Sequence, residues 1–166
     1  PPTGSISGDL IICEGESADI TFTLSGTGPF TIALRNEETG ALEAVPLLND
    51  GDTFSVSPLV NTTYTLESVT DANVPACSYT VESEVTITVR PPVTASLLNA
   101  SNICVGDNLD LELDINQAGT FDIIYNDGVN PDVTGAFSDG DLINVSPSVS
   151  TTYTITSIAY QDTPTC

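Results

Sequence analysis

One phrase occurs twice in this 166-residue chain. SPLVNTTYTL at residues 57–66 returns as SPSVSTTYTI at residues 146–155, an offset of 89. Other anchors follow in the same order. Pro1-Pro2 matches Pro91-Pro92. Ile12-Cys13-Glu14-Gly15 matches Ile103-Cys104-Val105-Gly106, and Gly28-Pro29-Phe30 matches Gly119-Thr120-Phe121, both at 91. Gly51-Asp52 matches Gly140-Asp141, and Cys77 matches Cys166, both at 89. The offset changes once, between Phe30 and Gly51, as a loop two residues shorter in the second copy produces. A repeat of this length is one folding unit written twice, so the chain is read as two domains, residues 1–90 and 91–166.

Each copy alternates apolar and polar residues. Ala18, Ile20, Phe22 and Leu24 do so, as do Leu109, Leu111, Leu113 and Ile115. Phe30, Ile32 and Leu34 continue the pattern, matched by Phe121, Ile123 and Tyr125. Phe54 and Val56, Tyr64 and Leu66, and their counterparts Ile143, Val145, Tyr153 and Ile155 follow. Period two means strands with one buried and one wet face. Clusters such as Asn49-Asp50-Gly51 and Asn126-Asp127-Gly128 mark turns between them. No stretch has a helical period. Six or seven short strands in about 90 residues predict an all-β chain of two tandem immunoglobulin-like sandwiches. The second is unfinished. The first copy runs past Cys77 into SYTVESEVTITVR, whereas the sequence stops at Cys166, so the last strand of the second sandwich is absent. That strand is expected either further along a longer array or from a neighbouring subunit, which would complete the sheet by donation.

The repeated phrase carries the chain into the sixth strand. Tyr64 and Tyr153 suit a tyrosine corner, with the ring in the core and the hydroxyl bonded back to the corner. Pro58 and Pro147 fit the turn before it.

Four cysteines allow three pairings. The repeat selects Cys13 with Cys77 and Cys104 with Cys166, each tying the segment before the second strand to the loop before the last. A zinc site lacks closely spaced cysteines and histidine, and a catalytic thiol lacks a base. Disulfides imply an oxidising, extracellular location.

Charge limits partners. Twenty-three acidic residues face two arginines, with no lysine or histidine, for a net charge of −21. Such a surface repels nucleic acid and anionic membranes. No apolar run approaches the roughly 20 residues needed to span a bilayer. No signal peptide or Met is visible in the sequence, which is expected to be a mature or internal piece of something longer. No paired carboxylates are placed for catalysis, so no enzyme activity and no cofactor are expected. Carboxylates at turns, Asp50 and Asp52 and their counterparts Asp139 and Asp141, are candidate calcium ligands. Asn61, Asn99 and Asn144 begin Asn-x-Ser/Thr triplets.

The combination of Ile-Cys-x-Gly, Gly-Pro-Phe, Ser-Pro, Thr-Thr-Tyr-Thr and a late Cys resembles tandem Ig-like or PKD-like repeats of large secreted surface proteins of Bacteroidota, often exported by the type IX route. The resemblance covers nearly the whole chain. It implies a structural repeat of a cell-surface stalk, adhesin or filament, with neighbouring repeats or identical subunits as partners and surface glycans as a further class. The alternative is a glycan- or calcium-binding accessory module of a secreted enzyme.

Overall fold

Alternating residues become strand wherever they occur. The structure is a computed structural model that describes every residue except Thr163 and Thr165, with Leu47 described by its backbone alone. It contains two units, Pro1–Pro91 and Pro92–Cys166.

The first unit has eight strands: β1 (Thr3–Ser7), β2 (Leu10–Cys13), β3 (Ala18–Ser25), β4 (Phe30–Asn36), β5 (Leu42–Leu48), β6 (Thr53–Val56), β7 (Thr62–Thr70) and β8 (Ser78–Arg90). They form two sheets, ordered β1-β3-β6 and β2-β8-β7-β4-β5. Every pairing is antiparallel except β2 with β8, where Leu10 faces Ile87 and Cys13 faces Arg90. The inward residues of both sheets meet in one core, in which Ile20, Phe22, Leu66, Val69 and Ile87 are sealed from solvent. Two sheets joined in this Greek-key order make an immunoglobulin-like sandwich.

The opening segment is split between the sheets, β1 in one and β2 in the other. Gly8 makes the switch at φ 130°, and a Cβ there would lie 2.9 Å from the Asp19 carbonyl oxygen. Only glycine tolerates that combination cheaply. In the second unit Asn99 holds the counterpart place at φ 65°, a region asparagine enters more readily than most residues.

The second unit repeats six of these strands: β9 (Ala95–Leu98), β10 (Leu109–Ile115), β11 (Thr120–Asn126), β12 (Val133–Ser138), β13 (Leu142–Val145) and β14 (Thr154–Tyr160). Its sheets are β13-β10-β9 and β12-β11-β14, the places of β6-β3-β1 and β5-β4-β7. Leu113, Phe121 and Ile123 fill its core. Among the described residues no strand stands in for β8. Two consequences follow from hydrogen bonding. Residues 101–104, the counterparts of β2, form no strand, because β2 pairs with nothing but β8. β14 starts at Thr154, whereas β7 starts at Thr62, the counterpart of Thr151. In the first unit Thr62, Thr63 and Tyr64 are paired to Ile87, Thr86 and Val85 of β8.

β1, β2 and β5, and β9 and β12 in the second unit, lie outside the runs that alternation marks in the sequence. β5 reads LEAVPLL, without alternation and with Pro46 inside it. It is an edge strand, and its pairing with β4 shifts register between Phe30 and Ile32, leaving the proline where no ladder donor is needed.

The expected cysteine pairing is overturned. Cys77 and Cys104 are free, exposed thiols. Cys13 and Cys166 are the disulfide-bonded cysteines. Geometry gives the reason. Cys13 faces Arg90 at one end of β8, and Cys77 precedes Ser78 at the other. Thirteen strand residues at about 3.3 Å each separate the two ends by roughly 40 Å. A disulfide needs Cα atoms within ~7 Å. In the second unit Cys104 likewise precedes β10, beside the residues that lead into β14, whereas Cys166 follows the far end of β14.

Candidate functional site

The site is the flank of β14. In the first unit β7 lies between β4 and β8. Val85 and Ile87 of β8 are fully buried beside it, and the Val89 amide donates to Oδ1 of Asn61 at 2.8 Å. β14 has β11 along one edge and, among the described residues, no second strand along the other. Its apolar residues register the difference. Tyr64 and Leu66 are buried, whereas their counterparts Tyr153 and Ile155 are half-buried. Val69 is sealed, and Ile158 in its place is again half-buried.

A cleft of about 540 Å³ opens where β14 begins. Ile103, Val105, Leu109, Val145, Val149 and Tyr153 are among the residues lining it. Ile103 is half-buried there, while its counterpart Ile12, carried on β2 against β8, is buried. Ser101, Asn102, Thr151 and Thr152 share the lining, so the cleft is mixed in character. A cleft of this kind at a strand edge suits an extended segment that adds to the sheet. β8 is such a segment in the first unit, with Val85, Ile87 and Val89 buried.

Tyr64 sits in the core near the start of β7, opposite Asn36 of β4. Burial pushes its hydroxyl pKa up, the charge of Glu43 adds to this, and a hydrogen bond with the Asn36 side chain opposes it. Tyr153 precedes β14 and lines the cleft. Its hydroxyl is also raised, first by desolvation and then by the charge of Asp127 and by Tyr125.

The four turn carboxylates occupy matched positions. Asp50 Oδ1 accepts the Leu24 amide at 2.8 Å, and Asp139 Oδ1 accepts the Ile115 amide at the same distance. Asp52 accepts the Asn49 amide and Asp141 the Ser138 amide, both at 2.7 Å. Backbone bonds repeat as well: Phe22 with Asp52 and Gly51, and Leu113 with Asp141 and Gly140. These acids clasp the turn before β6, or before β13, to the strand beside it. Each has at least one carboxylate oxygen committed to a backbone N–H. Among the described residues no three His, Cys, Asp or Glu side chains gather as a metal site requires.

Sequence reasoning passed over Asp71. It is buried at the end of β7, and its Oδ1 accepts the amides of Cys77 at 2.9 Å and Asn73 at 3.3 Å. The Cys77 amide is the main cause of a carboxyl pKa below the ordinary value. The local signal was present in Asp71-Ala72-Asn73, since Asp readily binds its own backbone two residues on.

No protein-family model matches the chain, and no curated protein matches it. Among solved structures, the crystal structure of DIP-gamma IG1+IG2 is similar over 90% of this chain and 84% of that one, at 9% identity and a TM-score of 0.47. Strand order within each unit, with β7 returning between β4 and β8, makes this chain a tandem of Ig-like β-sandwich domains.

Proposed function

We propose that the chain is a repeat segment of an extracellular stalk, adhesin or filament, and that its second unit is completed by an added strand of the β8 kind. The observation that carries this reading is the edge of β14 along which no second strand lies among the described residues, beside a cleft that Ile103, Leu109, Val145 and Tyr153 help to line. The resemblance to repeats of large secreted surface proteins supports it. So does a disulfide, which fits an oxidising location. The net charge of −21 keeps a long array soluble and discourages unspecific pairing at exposed edges. The mechanism is strand addition. Backbone groups of β14 supply a ladder, and alternate apolar side chains enter the cleft. The incoming strand comes from the continuation of the array or from a neighbouring subunit, and the chemistry of acceptance is the same.

The test uses the peptide SYTVESEVTITVR, residues 78–90, added to the intact chain. Amide exchange in β14 is expected to slow at least tenfold, and residues 101–104 to gain protection. A scrambled peptide is expected to do neither. Unchanged exchange in β14 at saturating peptide would sink the reading.

A further inference from the structure

Side chains hold β8 in the first unit at three places, in addition to its strand pairing. Ser83 Oγ accepts the Ile6 amide at 3.0 Å and donates to the Ile6 carbonyl at 3.5 Å, so a residue of one sheet latches onto β1 of the other. Asp9 Oδ1 accepts the Thr86 amide at 2.7 Å, and Asn61 Oδ1 accepts the Val89 amide at 2.8 Å. Ile6, Asp9 and Asn61 have counterparts in the second unit, Leu97, Ala100 and Ser150. All three counterparts line the cleft beside β14.

Two of these holds are altered by sequence in the second copy. Ala100 has no side-chain acceptor, and Ser150 ends one bond short of the Asn61 amide oxygen. The Ile6 latch is kept because it uses backbone groups. Phe22 spends its N–H and C=O on Asp52 and Gly51, and Leu113 spends its own on Asp141 and Gly140. Ile6 lies opposite Phe22, and Leu97 lies opposite Leu113. Both are therefore members of non-hydrogen-bonded pairs, whose own N–H and C=O point outward from the sheet edge. Register is kept as well. Glu67 is the extra residue of a bulge on β7 between Leu66 and Ser68, and Thr156 is the extra residue at the same place on β14, between Ile155 and Ser157. Ser83 of β8 lies opposite Leu66. A bulge pins register, so a strand added to β14 as β8 is to β7 sets its residue of the Ser83 place opposite Ile155 and against Leu97.

We propose that Leu97 is the specificity-determining residue of the cleft: its backbone N–H and C=O select an incoming strand that carries a serine or threonine hydroxyl two residues ahead of three alternating apolar residues, the spacing of Ser83, Val85, Ile87 and Val89. The inference rests on the strand addition proposed above and names what the added strand must carry. The apolar residues and the backbone ladder supply affinity, and the hydroxyl supplies discrimination. A strand without it covers the Leu97 N–H and C=O and gives them no partner, which costs more than an ordinary hydrogen bond contributes. The altered holds opposite positions 86 and 89 leave the strand fixed at its middle and looser towards its end.

The experiment adds the peptide of residues 78–90, and its Ser83→Thr, Ser83→Val and Ser83→Ala forms, to the intact chain at moderate salt, which screens the acidic surface. Affinity is read by anisotropy of the labelled peptide, and amide exchange is followed at Leu97 and along β14. The parent and Ser83→Thr peptides are expected to bind comparably and to slow exchange at Leu97. The Ser83→Val peptide, which keeps the shape of threonine, and the Ser83→Ala peptide should bind about tenfold more weakly. At saturation both should still slow β14 but protect Leu97 much less than the parent does. Restoring the two altered holds in the chain, Ala100→Asp with Ser150→Asn, should tighten the parent peptide by about tenfold. If the parent and Ser83→Val peptides bind equally, or protect Leu97 equally while slowing β14, the inference is overturned and strand addition stands. If no peptide slows β14, both are lost.

Discussion

Leu66 and Ile155 hold one position in two copies of the same pattern, yet Leu66 is sealed from solvent and Ile155 is not. The Asp50 and Asp139 clasps, in contrast, agree to within 0.1 Å. The difference lies in which elements each feature needs. The clasp uses a turn and an adjacent strand that both copies possess. The burial of Leu66 needs β8, which the second unit has no counterpart for among its described residues. A single strand thus controls three things at once: the sealing of its neighbour, the first three residues of that neighbour, and the existence of β2 as a strand.

Substitutions can break or sharpen that contrast. The largest effect is expected from Leu66→Ala, about 3 kcal/mol off the first unit, since the side chain is wholly buried and leaves a cavity. Ile155→Ala should remove only about 1 kcal/mol from the second, and the peptide of residues 78–90 should enlarge that figure. Denaturant titration followed by amide exchange in each unit checks both, and equal losses would break the contrast. Next comes the switch between sheets. Gly8→Val is expected to cost about 2 kcal/mol through strain at positive φ and collision with Asp19, whereas Asn99→Gly should stay within about 0.5 kcal/mol. Thermal melting of the two variants reads this. Asp50→Ala and Asp139→Ala should each cost about 1–2 kcal/mol, by the same amount in both units, because each strands a part-buried amide. Unequal losses would show that the missing strand reaches the clasp.

The smallest effect concerns pH. The Asp71 carboxyl is held below its ordinary value of 3.8 by the Cys77 amide first. A group lowered in the folded state stabilises it fully above that ordinary value and loses the contribution as pH falls through the lowered one. Asp71→Asn should therefore lower the melting temperature of the first unit at pH 7 and flatten its dependence on pH below about 4. Acid titration of the variant beside the parent checks it. An unchanged acid slope would show that the carboxylate contributes nothing there.

The strands with strict alternation were legible because period two needs no tertiary information: Ala18 to Leu24 and Leu109 to Ile115 declare their buried faces residue by residue. β5 was not, since an edge strand with Pro46 and a shifted register has no period to read. The disulfide pattern was hidden for a different reason. The repeat points Cys13 to Cys77, but it carries no information on the length of β8, which holds those two residues at opposite ends. The open edge was legible as a missing segment. Its effect on Ser101–Cys104 was not, because nothing in Asn102-Ile103-Cys104 reveals that the matching residues of the first copy are strand only by virtue of a partner some 75 residues away.

The parallel pairing of β2 with β8 has a mechanical meaning. Tension applied through the two ends of the first unit draws Leu10 and Arg90 in opposite directions along strands that point the same way. The rungs between them are then loaded side by side and must give way together, like a lap joint. In the antiparallel pairs that meet at a hairpin, the same load would open one rung after another, like a zip. Wherever a β8-like strand is in place, the bead it closes is braced against stretching along its own length.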